Sequence, residues 1–359
     1  MLFSFSLYYM KKIFFPLLIA VCFFSCNNHK SIPDVSGIKI NIKTKRYEQD
    51  FFAIDTNNVA SSMRVLLGKY PKFTPDFVIN ILGLDTNELL IPGNAEDSAI
   101  RLFIHDYKFL KDSSDVLYSN FNNYTDEIKQ ALQFVKYYFP DYKLPQAVIT
   151  YIGPINANFE TSFGTQGDIL TQEGLGIALQ LHMGKNFSLY RSAEGQEQYP
   201  DYLAATFDGK HITVNCMRNI VDDLFADSSS GKPLIQQMVE KGKRMYLLTK
   251  LLPYTPEYLC FGYTEKQLKD CYSNEARIWS FFLNNELLHN SEESMIKNYI
   301  GEGPKTQELG EGSPGNIGTF SGFQIVKKYL EKFPETTLPE LMKMDNEKIY
   351  EGARYKPKS

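Results

Sequence analysis

The sequence is poor in the residues that most often build metal and redox sites. Its 359 residues include five histidines, five cysteines and one tryptophan. No Cys-x-x-Cys, His-x-His or His-x-x-x-His spacing occurs that would place two ligands on one strand or one helix. A zinc knuckle and a thioredoxin-type centre are therefore unsupported, and we predict no metal-binding residue and no cofactor.

The sequence also has no excess of positively charged residues. The chain has 38 Lys and Arg residues against 42 Asp and Glu residues, which gives a net charge of −4. Because nucleic-acid binding depends on a basic face, we expect no nucleic-acid partner. The composition, 43% hydrophobic and 14% aromatic, is otherwise that of a folded protein with one large domain or two ordinary ones.

Two common catalytic motifs are also absent, the G-x-S-x-G elbow and the P-loop. Residues 310–315 do match the G-x-G-x-x-G pattern of dinucleotide sites. No predicted strand precedes them, however, Pro314 removes a backbone donor, and too little chain follows for a dinucleotide fold. We predict a tight turn before a helix whose Gly318 and Gly322 allow close packing. No small-molecule substrate is identified.

The N-terminus has an apolar run, but that run is too short to span a bilayer, which takes about 20 residues. It covers 13–24, follows two lysines, and ends at Ser25-Cys26. This order is typical of an export signal, and Phe-Phe-Ser-Cys resembles a lipobox, whose cysteine is lipidated. We predict a signal peptide over 1–25, a fatty-acylated Cys26 and a lipidated tether over 26–37. An ordinary signal peptide with an incidental cysteine is the alternative, and Met10 is an alternative start.

Three cysteines remain if Cys26 is acylated, namely Cys216, Cys260 and Cys271. An odd number cannot all pair within one chain. Cys260 and Cys271 could close a short loop, although a pair of buried thiols is the simpler expectation.

Hydrophobic periodicity predicts a single domain over 38–359, mainly helical with a small sheet inserted mid-chain, which is an α+β fold. The first, helical half extends to about 143, the sheet covers about 145–183, and a second helical half covers about 211–351. A strand at 38–43 is expected at a sheet edge, and 146–152, 158–163 and 168–182 are expected to form the sheet. Helices are expected near 60–68, 74–82, 97–118, 125–138, 212–225, 233–252, 264–288, 317–330 and 338–350.

Four acidic residues on predicted helices are the available general bases: Asp222, Asp223, Glu240 and Glu275. Nothing in the sequence pairs them, so solvated or salt-bridged side chains are the simpler expectation. His182 and His211 are expected to be separate exposed or hydrogen-bonded residues. We therefore predict no catalytic residue.

Several short segments, kept in order over the mature chain, look like those of the GldB-type gliding-motility lipoproteins of Bacteroidota. They occur at 45–52, 136–140, 262–267, 274–276, 313–315, 322–326 and 355–358. The resemblance implies a periplasm-facing lipoprotein of the cell envelope, held to the membrane by its lipid. It also implies partners in the gliding machinery or the allied protein-export apparatus, and no known enzymatic activity.

The order of elements is more distantly similar to zincin-type metallopeptidases. Their helix carries H-E-x-x-H, and the corresponding stretch here, from Asn215 to Asn219, lacks both imidazoles and the base. This likeness implies a degenerate zincin-like fold that has lost its site. Two functions remain, a non-enzymatic protein acting through protein contacts and a hydrolase with an unrecognised active site. The favoured contact region is the Gly-rich 301–315 with its adjoining helix.

Overall fold

Six short strands form two sheets. The computed structural model describes residues 32–358. Its strands are β1 (Lys43–Arg46), β2 (Ala147–Tyr151), β3 (Phe159–Thr161), β4 (Gly164–Gln166), β5 (Ile169–Leu170) and β6 (Leu175–Ala178). Four of them form a mixed sheet in the order β1-β2-β6-β5, in which β1, β2 and β6 are parallel and β5 is antiparallel to β6. Strands β3 and β4 form a separate antiparallel hairpin.

Two details of the predicted sheet were wrong. The edge strand begins at Lys43 rather than at Ile38. The carbonyl of Ile38 accepts a hydrogen bond from the side-chain amide of Gln133 at 2.8 Å, so it is not available to a neighbouring strand. The sheet is also not confined to the middle of the chain, since β1 comes from the N-terminal part and β3 pairs only with β4. Strand β1 does lie at the edge of its sheet, but it shares only Lys43 with the predicted strand.

The described residues are 57% helical, which confirms a mainly helical α+β fold. The described helices of the first half are α1 (Tyr47–Phe52), α2 (Val59–Lys69), α3 (Phe73–Asp76), α4 (Ala95–Leu117) and α5 (Asn122–Tyr138). After the sheet come α6 (Ser188–Arg191), α7 (Ala193–Gln198), α8 (Asp201–Ala204), α9 (Ile212–Leu224), α10 (Leu234–Leu251), α11 (Glu257–Phe261), α12 (Glu265–Ser273), α13 (Glu275–Asn284), α14 (Glu293–Ile300), α15 (Ile317–Lys332), α16 (Leu338–Lys343) and α17 (Asn346–Ala353).

Two predicted long helices are broken. The segment 264–288 divides at Asn274 into α12 and α13, and Thr264 caps α12 through a capping box with Gln267. The segment 338–350 divides into α16 and α17 because the Asp345 side chain accepts the first amides of α17. A capping side chain starts a new helix even where the apolar period continues.

The predicted close packing of the helix after residue 315 is confirmed. Helix α15 crosses α10 at a point where glycine faces glycine, Gly322 against Gly242. A Cβ on Gly322 would lie 1.7 Å from the carbonyl oxygen of Met238, and a Cβ on Gly242 would lie 2.2 Å from the carbonyl carbon of Gly322. The two backbones are therefore in direct contact.

The chain from Val35 onward forms one compact unit. Its largest apolar cluster contains α5, α9, α10 and α15, and a second, aromatic cluster lies under β2 around Tyr47, Phe51 and Phe77. In the described range no helix is long and apolar enough to cross a membrane. The predicted signal peptide and Cys26 lie outside the described residues.

Candidate functional site

The polar residues nearest to a catalytic arrangement lie around the start of α9. Asp168, which follows β4, is buried at 1% exposure, and His182 is buried at 2%. The His182 Nε2 atom lies 2.8 Å from one Asp168 carboxylate oxygen and 3.1 Å from the other. We call this group, with Asp208, His211, Asn215 and Asn219, the Asp168 cluster.

Both ring nitrogens of His182 are occupied. Its Nδ1 atom lies 3.0 Å from the backbone carbonyl of Asp208, an atom that can only accept a hydrogen bond. The Asp168 carboxylate, which lies against Nε2, also accepts the amide of Ala178 and the side-chain amide of Asn215. Both ring nitrogens of His182 are thus engaged in hydrogen bonds within the fold.

The surroundings of the two histidines shift their pKa values in opposite directions. Burial lowers the pKa of His182, but the charge and hydrogen bonds of Asp168 outweigh it, so the pKa is raised above its usual value. Burial lowers the pKa of His211, whose Nδ1 atom lies 2.8 Å from Asp208 Oδ1. Both histidines are hydrogen-bonded, as one of the two expectations had it, and Asp208 contacts His182 through its backbone and His211 through its side chain.

Asn215 and Asn219 occupy the helix positions that carry the zinc-binding histidines in a zincin. Both asparagines donate hydrogen bonds to Asp168. The Nδ2 atom of Asn215 donates to Asp168 Oδ2 at 3.0 Å, and the Nδ2 atom of Asn219 donates to the Asp168 carbonyl at 3.0 Å. Amide donors thus surround Asp168 where a metal would need acceptors. Between Ile32 and Lys358 no three His, Cys, Asp or Glu residues are grouped to hold a metal ion.

A second buried polar group, the Arg244 cluster, lies between the C-terminal half of α9 and α10. Arg244 is fully buried and pairs with Asp222 at 2.8 Å and with Glu240 at 3.2 Å. Glu240 also pairs with Lys243 at 2.8 Å. Arg244 Nη1 reaches the hydroxyl of Ser162 in the β3–β4 turn at 3.2 Å. The cluster therefore fixes the hairpin to both helices.

The four predicted candidate bases all have partners, as expected for structural carboxylates. Arg244 brings Asp222 and Glu240 together, whereas Asp223 and Glu275 are elsewhere and accept tyrosine hydroxyls, each at 2.6 Å. Sequence reasoning missed Arg244, although its spacing of four residues from Glu240 is the pattern of a helical ion pair. Asp168 was also missed, and no local signal indicates it.

Cys216, Cys260 and Cys271 are buried free thiols, so the expectation of buried thiols is confirmed and Cys260 and Cys271 do not pair. Burial raises the pKa of Cys260 and of Cys271 to about 12 in each case. Their thiolate forms are therefore scarce at neutral pH, and neither cysteine has the lowered pKa of a nucleophile.

The Gly-rich segment 301–315 forms one wall of a groove of about 200 Å³, which we call the loop groove. The opposite wall is the junction of α12 and α13. The lining residues are Asp270, Cys271, Asn274, Arg277, Ile278, Leu309, Gly312, Ser313, Pro314 and Ile317. As predicted, 310–315 is a turn, with Gly310 at a φ of 92° that favours glycine.

A family model described as gliding motility protein GldB matches residues 28–357. The chain belongs to the GldB family. This confirms the resemblance seen in the short sequence segments, and it relates the chain to gliding motility and, through the family name, to lipoproteins of the cell envelope. A search of curated proteins and a search of solved structures both give no match. The zincin likeness of this GldB-family chain therefore stays a prediction.

Proposed function

We propose that this GldB-family protein is a non-enzymatic lipoprotein of the cell envelope, facing the periplasm, that serves the gliding machinery and its allied protein export through protein contacts. The observation that carries the proposal is the family match over residues 28–357. Proteins of these two machineries are the proposed partners.

The arrangement of the buried charges supports a non-enzymatic role. A hydrolase needs a base or nucleophile with a free lone pair near a cleft that admits substrate. In the Asp168 cluster both nitrogens of His182 are used, and in the Arg244 cluster both carboxylates face cations. These groups stabilise the packing of α9, α10 and the hairpin, so they are already committed to the fold.

The membrane attachment is proposed to be the lipid on Cys26. A signal that ends in Ser-Cys accounts for both export and anchoring, and one lipid modification with more than one acyl chain suffices for stable membrane binding. After cleavage before Cys26, residues 26–34 would connect the lipid to the compact unit that starts at Val35.

Metabolic labelling with a radioactive fatty acid tests the anchor. We expect label in the wild-type protein and none in Cys26→Ser, which should leave the membrane fraction or fail to mature. Cys22→Ser is the matched control, because Cys22 lies in the same signal region four residues earlier, and it should label normally. Label that persists in Cys26→Ser would refute the assignment.

A further inference from the structure

The loop groove has the size of a socket for one side chain. Its volume of about 200 Å³ lies below the roughly 300–1,000 Å³ of small-molecule sites, whereas a cavity of about 150 Å³ suffices to hold benzene. Ile278, Pro314 and Ile317 in its lining are buried and apolar, and Leu309 is half-buried. One aromatic side chain therefore fills it.

The loop groove has one charged side chain without an ion-pair partner among the described residues, the guanidinium of Arg277. Arg277 is exposed, and in the part of the chain that the structure describes its guanidinium has no hydrogen bond or ion pair. The carboxylate in the lining, Asp270, already has a cation, since Lys266 lies 2.5 Å from it. A guanidinium binds a carboxylate through two parallel hydrogen bonds, so a carboxylate is the group that complements this rim.

The loop wall is held in place before any ligand arrives. Both the amide and the hydroxyl of Thr306 donate to the Pro314 carbonyl, at 3.1 and 2.9 Å, and the Tyr263 hydroxyl donates to the Gly315 carbonyl at 2.9 Å. Gly312 has open space where its Cβ would be, with no atom within 4 Å. A rigid, open groove lowers the ordering cost of binding.

We propose that the loop groove binds the C-terminal residue of a partner protein when that residue is aromatic. The ring occupies the groove and the terminal carboxylate pairs with Arg277. A chain end suits the groove better than an internal segment, because the volume admits one side chain and a terminal residue brings both an apolar group and a carboxylate. The inference rests on the proposed function, in that the protein works through protein contacts.

The test is a binding titration of the full-length protein in detergent with a short peptide that ends in 4-fluorophenylalanine, followed by ¹⁹F NMR. We expect binding by the peptide with a free terminal carboxylate. The same peptide with an amidated terminus should bind about tenfold more weakly, because the bidentate pair with Arg277 is lost. Equal affinity for the two peptides would overturn the proposal.

Variants locate the binding. Arg277→Gln should weaken it about tenfold, and Gly312→Leu should abolish it by filling the groove. Lys269→Gln and Gly37→Leu are matched controls, because Lys269 is an exposed cation outside the lining and Gly37 has open space around it. Unchanged binding by both groove variants, at unchanged melting temperature, would overturn the proposal. Such a failure leaves the lipid anchor untouched, since fatty-acid labelling tests that separately.

Discussion

The contact between α10 and α15 depends on Gly322, and Gly322→Ala tests how tightly the second half of the chain is packed. The added Cβ would lie 1.7 Å from the Met238 carbonyl oxygen and 2.4 Å from its carbon, whereas real Cβ atoms essentially never come within 3.0 Å of another atom. The clash is with backbone, so no side-chain rotation relieves it. The helices must separate by about 1.3 Å to restore 3.0 Å.

The expected cost follows from this displacement. A gap of about 0.5–1 Å already forfeits a quarter to a half of the dispersion energy of each affected contact, and overpacking costs about 1–3 kcal/mol or more. Alanine gains about 1 kcal/mol over glycine in helix propensity. Since backbone resists the change here, the cost lies at the upper end, and we expect a net loss of about 2 kcal/mol in the free energy of unfolding.

Denaturant unfolding of Gly322→Ala and Gly68→Ala, compared with the wild type, measures this loss. Gly68 lies in α2, is exposed, and has no atom within 4 Å of its Cβ position. The same substitution there should be neutral or stabilising by up to about 1 kcal/mol. If Gly322→Ala were as stable as Gly68→Ala, the close crossing of α10 and α15 would be refuted.

Three further predictions concern the buried polar groups. His182→Gln leaves the Asp168 carboxylate without its cationic partner and should cost about 3–5 kcal/mol in the free energy of unfolding. Because the folded state raises the pKa of His182, this loss should be full below pH 6.5 and should shrink as the pH rises through the folded-state pKa. Thermal melts of variant and wild type at pH 5.5 and 9 check it, and a loss that grows with pH would contradict it. A chelator should leave the melting temperature unchanged, and stoichiometric zinc that disappears in His182→Ala or His211→Ala would show otherwise. A thiol reagent should label Cys260 and Cys271 only after unfolding, whereas rapid labelling of the native protein would contradict their burial.

Long amphipathic helices could be predicted from the sequence, and short connected elements could not. Helices α4 and α9 each bury one face over three or more turns, so their period is visible locally. The segment 183–211 contains α6, α7 and α8, of four to six residues each, and these are too short to show a period. The break at Asn274 was missed because the apolar period continues across it and no side-chain cap marks the start of α13.

Of the two buried polar clusters, one contains a pair that could be predicted from local spacing, and the other depends on tertiary contacts. The pair Glu240 and Arg244 is local to one helix, so its spacing was readable in principle. The Asp168 cluster depends on docking α9 against the β4–β5 connection and on the 3-10 turn that contains His211. The contacts of Asp168 with His182, Asn215 and Asn219 join residues 14 to 51 positions apart, and no local pattern in one sequence encodes them.

The most direct test of the central claim compares gliding speed in two strains that make equal amounts of protein. Glu240→Gln with Glu275→Gln removes two of the candidate bases, and deletion of 305–312 removes a wall of the loop groove. Because contacts and not catalysis are proposed, the double variant should glide and export proteins at the wild-type rate, whereas the deletion strain should do neither. A stable double variant that fails to glide, together with a harmless deletion, would contradict the account and favour an enzyme.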